Sequence, residues 1–194
     1  MSAMSWEAIP GWFDWRAAQV EAVDRFPDGS RFVEVGTYLG RSICSLADVM
    51  CARGKMMSIV GVDTCLGSGA EGPKGKDYHQ AAVAEGGGTF AGLLHANILA
   101  CGHGDRISII VSSSTRAAEW FADASVAWVH LDARHGYADV RADIAAWLPK
   151  VARGGWLSGD DFDPEKWPDV VRAVHDSLPG AQAWSHRQWR WEVR

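Results

Sequence analysis

The stretch Arg31-Phe-Val-Glu-Val-Gly-Thr-Tyr-Leu-Gly-Arg-Ser42 decides the fold of this 194-residue chain. It opens with apolar and β-branched residues and has glycines at positions 36 and 40. Apolar residues at helical spacing follow it. That order predicts a buried strand, a tight turn and the start of a helix. In open α/β sheets, ligands bind at the corner outside the carboxyl end of such a strand.

The glycine spacing separates this turn from the dinucleotide fingerprint. A dinucleotide-binding turn has glycines at its first, third and sixth positions, so that the backbone can approach a pyrophosphate. Here the spacing is Glu-x-Gly-x-x-x-Gly, and Tyr38 fills the turn. A bulky aromatic residue there favours a ligand with no phosphate at this point. A nicotinamide oxidoreductase, which would share the sheet and an acid at Asp63, is therefore disfavoured.

The run from Glu34 to Ser42 resembles the cofactor loop of class I S-adenosylmethionine (SAM)-dependent methyltransferases. The resemblance is greatest to the catechol O-methyltransferase-like branch and its bacterial sugar O-methyltransferase relatives. It implies a Rossmann-like α/β fold and SAM as cofactor. In that branch the Gly-x-Tyr-x-Gly-x-Ser pattern holds the methionine end of SAM. The resemblance thus implies cofactor contacts from Glu34, Gly36, Thr37, Tyr38, Gly40 and Ser42.

Strand and helix patterns alternate along the rest of the chain. The first strand opens the quoted stretch, and further strands are predicted at 56–63, 106–112, 126–132 and 154–159, with amphipathic helical segments between them. The tail from 181 to 194 alternates in the manner of a hairpin of two strands. We therefore expect one domain over 1–194, with a mostly parallel seven-stranded sheet, helices on both faces and an antiparallel C-terminal hairpin. Residues 1–30 are predicted to form an N-terminal helical cover.

Residues 66–89 interrupt this alternation. They contain Gly67, Gly69, Gly72, Gly75, Gly86, Gly87 and Gly88. Glycine is costly to order, and a long insert without regular structure is usually functional or disordered. The segment follows the second strand, at the sheet edge that holds the cofactor loop. We predict a mobile lid over cofactor and substrate, and a plain solvated insertion is the alternative.

Residues at the ends of the second, third and fourth strands complete the predicted cofactor site, the last of them Asp132. Asp63 ends the second strand, where an acid can accept hydrogen bonds from both ribose hydroxyls. After the third strand, Ser112-Ser-Ser-Thr115 resembles the turn that meets the adenine, and Ser114 and Thr115 match it best. Small hydroxyl residues also cap helices, so capping is an equal alternative for this pair.

Acidic residues follow two strands that are neighbours in this topology. Asp132 ends the fourth strand, and Asp160 and Asp161 end the fifth. Three close carboxylates repel each other unless a cation lies between them, which predicts Mg²⁺ or another divalent cation held by these residues. The matching positions in the catechol-like branch are metal ligands, although its third ligand is commonly Asn. The alternative is that Asp161 or Asp163 caps the next helix and Asp132 binds only SAM.

His135 follows Asp132 in an Asp-x-x-His-x-Tyr pattern that resembles the sugar-type relatives. Histidine titrates near neutrality and can accept a hydroxyl proton. We predict catalysis by His135 as general base, with Asp132, in methylation of a hydroxyl of a small molecule such as a sugar or polyphenol vicinal diol. A metal-neighbour or structural role for His135 remains open. The competing functions are metal-independent N-methylation and non-catalytic binding of SAM or metal.

Composition limits the partners and the setting. The net charge is −5, acids and bases are interspersed, and no basic stripe is present, which disfavours nucleic acid. No apolar run approaches transmembrane length and no signal-peptide core precedes the first strand, so we expect no membrane contact and a cytoplasmic protein. The four cysteines lack metal-binding spacing, which predicts buried free thiols.

The chain has 11 tryptophans, an unusual number. Trp6, Trp12 and Trp15 precede the first strand and are predicted to cover the cofactor or stack on a ring-shaped substrate. The C-terminal group, Trp184, Trp189 and Trp191, is predicted to pack on the sheet or to form the surface of a homodimer.

Overall fold

A computed structural model describes residues 3–70 and 76–194. Its strands are β1 (Arg31–Val35), β2 (Ser58–Asp63), β3 (Ile107–Val111), β4 (Val126–Leu131), β5 (Val151–Gly159), β6 (Gln182–Ala183) and β7 (Trp189–Glu192). They form one seven-stranded sheet in the order β3-β2-β1-β4-β5-β7-β6. Neighbours from β3 to β5 are parallel, and β7 is antiparallel to both β5 and β6. The predicted mostly parallel sheet with a C-terminal hairpin is confirmed.

Helices cover both faces of this sheet. They are α1 (Arg16–Arg25), α2 (Arg41–Ala52), α3 (Gln80–Glu85), α4 (Ala91–Ala100), α5 (Ser114–Ala118), α6 (Tyr137–Trp147) and α7 (Pro168–Ser177). Phe32 packs in a core cluster with α1, α2 and α4, whereas its neighbour Val33 packs in a second cluster with α5, α6 and α7. Successive side chains of a strand point to opposite faces, so β1 contributes to both cores.

Two element predictions are corrected. The segment 66–89 is not wholly irregular, because α3 lies inside it. The glycine-free run Gln80–Glu85 has three alanines, which favour helix, and glycines bound the helix at its end. Strand β5 begins at Val151 rather than at 154, so the prediction missed the three residues that precede the two glycines. Residues 71–75 of the predicted lid lie outside the described residues.

The tryptophans divide between core and surface. Trp15 is buried against Trp128 and therefore cannot cover a cofactor, whereas Trp12 is 66% exposed. Trp189 is buried, and Trp184 packs edge-on against Trp156, so the packing role predicted for these two C-terminal residues is confirmed. Three of the four cysteines are buried free thiols, as expected, and Cys51 is exposed. Within the described ranges, no helix is both long and apolar enough to cross a membrane.

Candidate active site

The sheet order brings the carboxyl ends of β1, β4 and β5 side by side. The ladder continues one step beyond the strands, since the Asp132 N–H bonds to the Val35 carbonyl at 2.7 Å and the Asp160 N–H to the Leu131 carbonyl at 3.1 Å. A cavity of about 630 Å³ opens at this edge. Its walls include residues from the ends of β1 to β5, which is the position expected for a ligand in an open α/β sheet.

Gly36 is required by contact between two strand ends. Its φ is +91°, and a Cβ built on it would lie 1.9 Å from the Asp132 carbonyl oxygen. At Gly40, also at φ +91°, a Cβ would meet the end of the Leu94 side chain at 2.9 Å. The chain itself occupies the space beside both glycines. Their lack of a side chain is thus explained by internal packing, and contact with a cofactor stays a prediction.

Asp63 ties β2 to the glycine turn. Its carboxylate accepts hydrogen bonds from the backbone N–H of Tyr38 at 2.9 Å and of Cys65 at 2.8 Å. Burial raises the pKa of this carboxyl, and these N–H donors oppose the rise. Tyr38 and Cys65 both have positive φ, +46° and +56°, a costly conformation for non-glycine residues. Asp63 therefore holds the strained loop and lines the cavity at the predicted ribose position.

Glu34 lies beneath the cavity rather than in its wall. It is 2% exposed, and one carboxyl oxygen accepts a hydrogen bond from the Ser42 hydroxyl. Burial is the main cause that raises the Glu34 pKa to about 8, and the charges of Asp160 and Asp63 add to it. Ser42 lines the cavity, whereas Glu34 is not among its lining residues. Glu34 thus supports the loop from below, and a direct cofactor contact from it stays a prediction.

Polar groups without protein partners mark the loop end of the cavity. Among the described residues, the Thr37 hydroxyl and the Arg41 Nε are buried and have no hydrogen-bond partner, and both residues line the cavity. A second nitrogen of Arg41 donates to the Gly11 carbonyl at 2.8 Å. A hydroxyl and a guanidinium suit the carboxylate of an amino acid, so the methionine end of SAM fits here. Sequence reasoning missed Arg41, although it lies inside the quoted motif.

The predicted adenine turn is at the other end of the cavity. Ser114 and Thr115 both line it, at the start of α5. The residue at the N-cap is Ser113, which makes no side-chain capping bond, so Ser114 and Thr115 are not N-caps. The Ser114 Oγ accepts a hydrogen bond from the Trp147 Nε1–H at 2.9 Å.

The acid cluster differs in one member from the predicted set. Potential ligand atoms of Asp132, His135 and Asp161 all lie within 4.8 Å of one another. Asp160 also lines the cavity, but its Oδ1 accepts hydrogen bonds from the Gln188 side chain and the Asp161 N–H, each at 2.7 Å. This set contains Asp132 and Asp161 of the predicted ligands and His135 in place of Asp160, and the metal role of all three predicted acids stays a prediction. Asp160 nevertheless lies near this set, because its charge acts on Asp132.

His135 is oriented by two contacts. Its Nε2 lies 2.7 Å from the Asp161 Oδ2, and its ring stacks on Trp167 at 4.1 Å between centroids. Asp161 reaches this position with φ +57°, in the left-handed region. Backbone strain of this kind is common at functional sites because surrounding contacts maintain it. The stacked ring and the carboxylate together fix the imidazole beside the acid pair.

Electrostatic repulsion within the cluster is severe. Burial raises the pKa of Asp132 well above its usual value, and the charges of Asp160 and Asp161 raise it further. Burial and the Asp161 charge raise the Asp160 pKa to about 6. A divalent cation between Asp132 and Asp161 would offset this repulsion and favour the charged form of Asp132. The donor set therefore fits a divalent cation.

Aromatic rings form the rim of the cavity. Trp12 stacks on Tyr38 with centroids 5.8 Å apart and meets the ring of Tyr78 edge-on at 5.5 Å. Tyr38 also contacts His79 and Phe90 edge-on. Tyr78 and His79 belong to the segment predicted as a lid, so the described part of that segment does border the cavity. Its mobility stays a prediction.

Comparison with known proteins agrees with this geometry. A family described as "Methyltransferase domain" matches residues 33–162. The uncharacterized protein y4gI of Sinorhizobium fredii (strain NBRC 101917 / NGR234) is 28% identical over 124 residues, which are 63% of this chain and 12% of that protein. The chain thus matches only about an eighth of the length of that relative.

Solved structures share the fold at low identity. The O-methyltransferase NovP superposes with a TM-score of 0.63 at 14% identity, covering 92% of this chain and 78% of NovP. The TDP-rhamnose 3'-O-methyltransferase CalS11 of calicheamicin biosynthesis has a TM-score of 0.60 at 19% identity, covering 91% and 76%. Cofactor-bound Rv0187 from MTB has a TM-score of 0.63 at 17% identity, covering 96% and 84%. These likenesses establish the fold.

Proposed function

Because this chain belongs to the methyltransferase domain family, with SAM as methyl donor, we propose that it methylates a hydroxyl group with the help of a divalent cation. One observation supports this reaction above others. The cluster of Asp132, His135 and Asp161 lines the same cavity as the SAM-type loop. A methyl donor and a group that can deprotonate a hydroxyl would therefore meet in one place. The O-methyltransferases NovP and CalS11, which share this fold, agree with that reaction class.

Each end of the cavity has a separate task in this proposal. The Thr37 hydroxyl and the Arg41 guanidinium bind the carboxylate of the methionine moiety, and Asp63 accepts hydrogen bonds from the ribose. SAM supplies a methyl group on a sulfonium, which is already electrophilic. The protein must then present an oxygen nucleophile in line with the bond that breaks, and holding both reactants in place lowers the barrier.

Proton removal falls to the acid cluster. Asp132 and Asp161 would hold the cation, which when bound lowers the pKa of a hydroxyl that it binds. His135 accepts the hydroxyl proton on its imidazole, and the Asp161 Oδ2, 2.7 Å from Nε2, stabilises the imidazolium. In this proposal the Asp161 carboxylate accepts a hydrogen bond from Nε2 and so orients the ring for its role as base. Trp167 keeps the ring in this orientation.

A titration separates the ligand role from the base role. We expect His135→Ala to bind Mn²⁺ and SAM as the wild type does while its turnover falls by about 10²–10⁴-fold, the usual contribution of a general base. Asp161→Asn should weaken Mn²⁺ binding itself. His95, which is exposed and outside the cavity, provides the control substitution His95→Ala. Loss of Mn²⁺ affinity in His135→Ala would make the histidine a ligand and overturn its role as base.

Metal dependence is tested with a panel of acceptors. We expect EDTA to abolish methyl transfer to a catechol or sugar diol and Mg²⁺ or Mn²⁺ to restore it, because both ions accept carboxylate oxygens. Vicinal diols should be better acceptors than isolated hydroxyls, since two oxygens can share one cation. Full activity toward these hydroxyl acceptors in EDTA would overturn the role of the cation, whereas transfer to amines alone would favour metal-independent N-methylation. Binding of SAM with no turnover on any acceptor would favour a non-catalytic role. The homodimer and the cytoplasmic location stay predictions.

A further inference from the structure

A buried acid at the far end of the cavity has no part in the chemistry described above. Asp143 lies on α6, is 8% exposed and lines the cavity beside the predicted adenine turn. It was not among the residues expected from the sequence, because it lies in the middle of a helix pattern. Buried carboxyls are rare unless they have a polar partner, so its position calls for a physical reason.

The hydrogen bonds around Asp143 have a defined direction. An indole N–H can only donate, so the Ser114 Oγ must accept the bond from Trp147 Nε1 at 2.9 Å. The single hydroxyl hydrogen of Ser114 is then available for the Asp143 carboxylate, which it contacts. Trp147 is fully buried, so this chain of bonds is anchored in the core. Ser114 thus donates its hydroxyl hydrogen to Asp143. The remaining acceptor sites of the Asp143 carboxylate are available to a ligand in the cavity.

The order of the strands indicates which part of SAM lies beside Asp143. The acid cluster follows β4 and β5, the glycine turn follows β1, Asp63 ends β2, and the turn before Ser114 follows β3. A ligand with its methionine end on the glycine turn and its ribose on Asp63 therefore extends its base toward the β3 side. Among purine groups, an acceptor there matches the exocyclic amino group of adenine, which only donates.

We propose that Asp143 accepts a hydrogen bond from the exocyclic amino group of the SAM adenine and so sets the base specificity of the cofactor site. Ser114 is a positioning residue that acts through Asp143. Burial raises the pKa of the Asp143 carboxyl to about 6, Asp139 adds to the rise and Ser114 opposes it. Above pH 7.5 the group is ionised and is an acceptor only. The proposal rests on SAM as methyl donor and on neither the metal nor the hydroxyl acceptor.

A pair of ligands tests this assignment directly. S-adenosylhomocysteine presents an amino group at the purine 6-position, whereas S-inosylhomocysteine presents an oxygen and a protonated N1. Calorimetry at pH 8, without metal or acceptor substrate, should show the wild type preferring the adenosyl ligand by about 10–100-fold, the range for a hydrogen bond to a charged group. Asp143→Asn presents an amide that can donate to the oxygen, so the preference should shrink to less than about threefold or reverse.

Controls separate this outcome from general damage. Asp105→Asn, at an exposed residue outside the cavity, should keep the wild-type preference. Ser114→Ala should reduce the preference by freeing the carboxylate, and it serves if Asp143→Asn does not fold. Equal affinity of the wild type for both ligands, or an unchanged preference in a folded Asp143→Asn, would overturn the proposal. Asp139 is the other acid of α6 in the cavity wall. A loss of the adenosyl preference in Asp139→Asn, with the preference kept in Asp143→Asn, would also overturn the proposal. If the wild type bound neither ligand, the donor assignment would fail as well.

Discussion

Replacing Gly36 with alanine should lower the free energy of unfolding by about 3–5 kcal/mol, the range of severe core disruptions. An added Cβ would lie 1.9 Å from the Asp132 carbonyl oxygen and 2.8 Å from the Ala133 Cα, against ordinary contacts of 3.4–4 Å. The distance to the carbonyl oxygen, 1.9 Å, is 1.5 Å shorter than an ordinary contact of 3.4 Å. The ends of β1 and β4 must therefore separate by more than about 1 Å. That movement strains the 2.7 Å bond from the Asp132 N–H to the Val35 carbonyl. The positive φ adds about 1–2 kcal/mol.

The chain offers matched controls for each part of that cost. Gly54 also has positive φ, +63°, but a Cβ there meets nothing within 4 Å, so Gly54→Ala should cost only the conformational part, about 1–2 kcal/mol. Gly40→Ala should fall between the two, because the obstacle is the end of the flexible Leu94 side chain. Urea unfolding of the three variants, together with calorimetry of S-adenosylhomocysteine, measures the series. A Gly36→Ala cost within about 0.5 kcal/mol of Gly54→Ala would refute the steric argument, since this is the size of an ordinary surface effect.

Three further predictions address Glu34, Asp63 and the predicted lid. Glu34 has a pKa of about 8 in the folded state against 4.5 when unfolded, so the stability present below pH 4.5 is lost as pH rises through 8. Glu34→Gln mimics the protonated form. In urea unfolding it should be about as stable as the wild type at pH 5 and about 2–4 kcal/mol more stable at pH 9. An equal dependence of the free energy of unfolding on pH in both proteins would contradict the raised pKa. Asp63→Ala should weaken S-adenosylhomocysteine binding by about 1–3 kcal/mol and also lower the melting temperature, because the Tyr38 N–H loses its acceptor; unchanged affinity would remove the ribose role. Hydrogen exchange over 66–89 should slow when SAM and acceptor bind, and equal protection in both states would count against a lid.

The elements of the fold and the strand-end residues were predictable from the sequence because their signals are local. A buried strand is a short apolar run, and the residue that ends it is visible as the first polar position. Asp63, Asp132 and Asp160 were located in this way. The glycine turn between Gly36 and Gly40 was visible for the same reason. Of the sheet order, only the adjacency of the fourth and fifth strands was expected, and the structure gives the rest.

The identity of the side chains that meet depended on contacts between distant parts of the chain. The Gln188 side chain, 28 residues later, donates a hydrogen bond to Asp160 Oδ1, a contact that the local sequence does not indicate. His135 contacts the Asp161 carboxylate. Asp161 has a positive φ, which no local sequence pattern predicts. Asp143 is held at the cavity by Ser114. Ser114 is in turn hydrogen-bonded to Trp147, which is 33 residues away in the sequence. A sequence determines which residues end a strand, but side-chain direction within a site is set by packing and hydrogen bonds across elements, which only the tertiary structure decides.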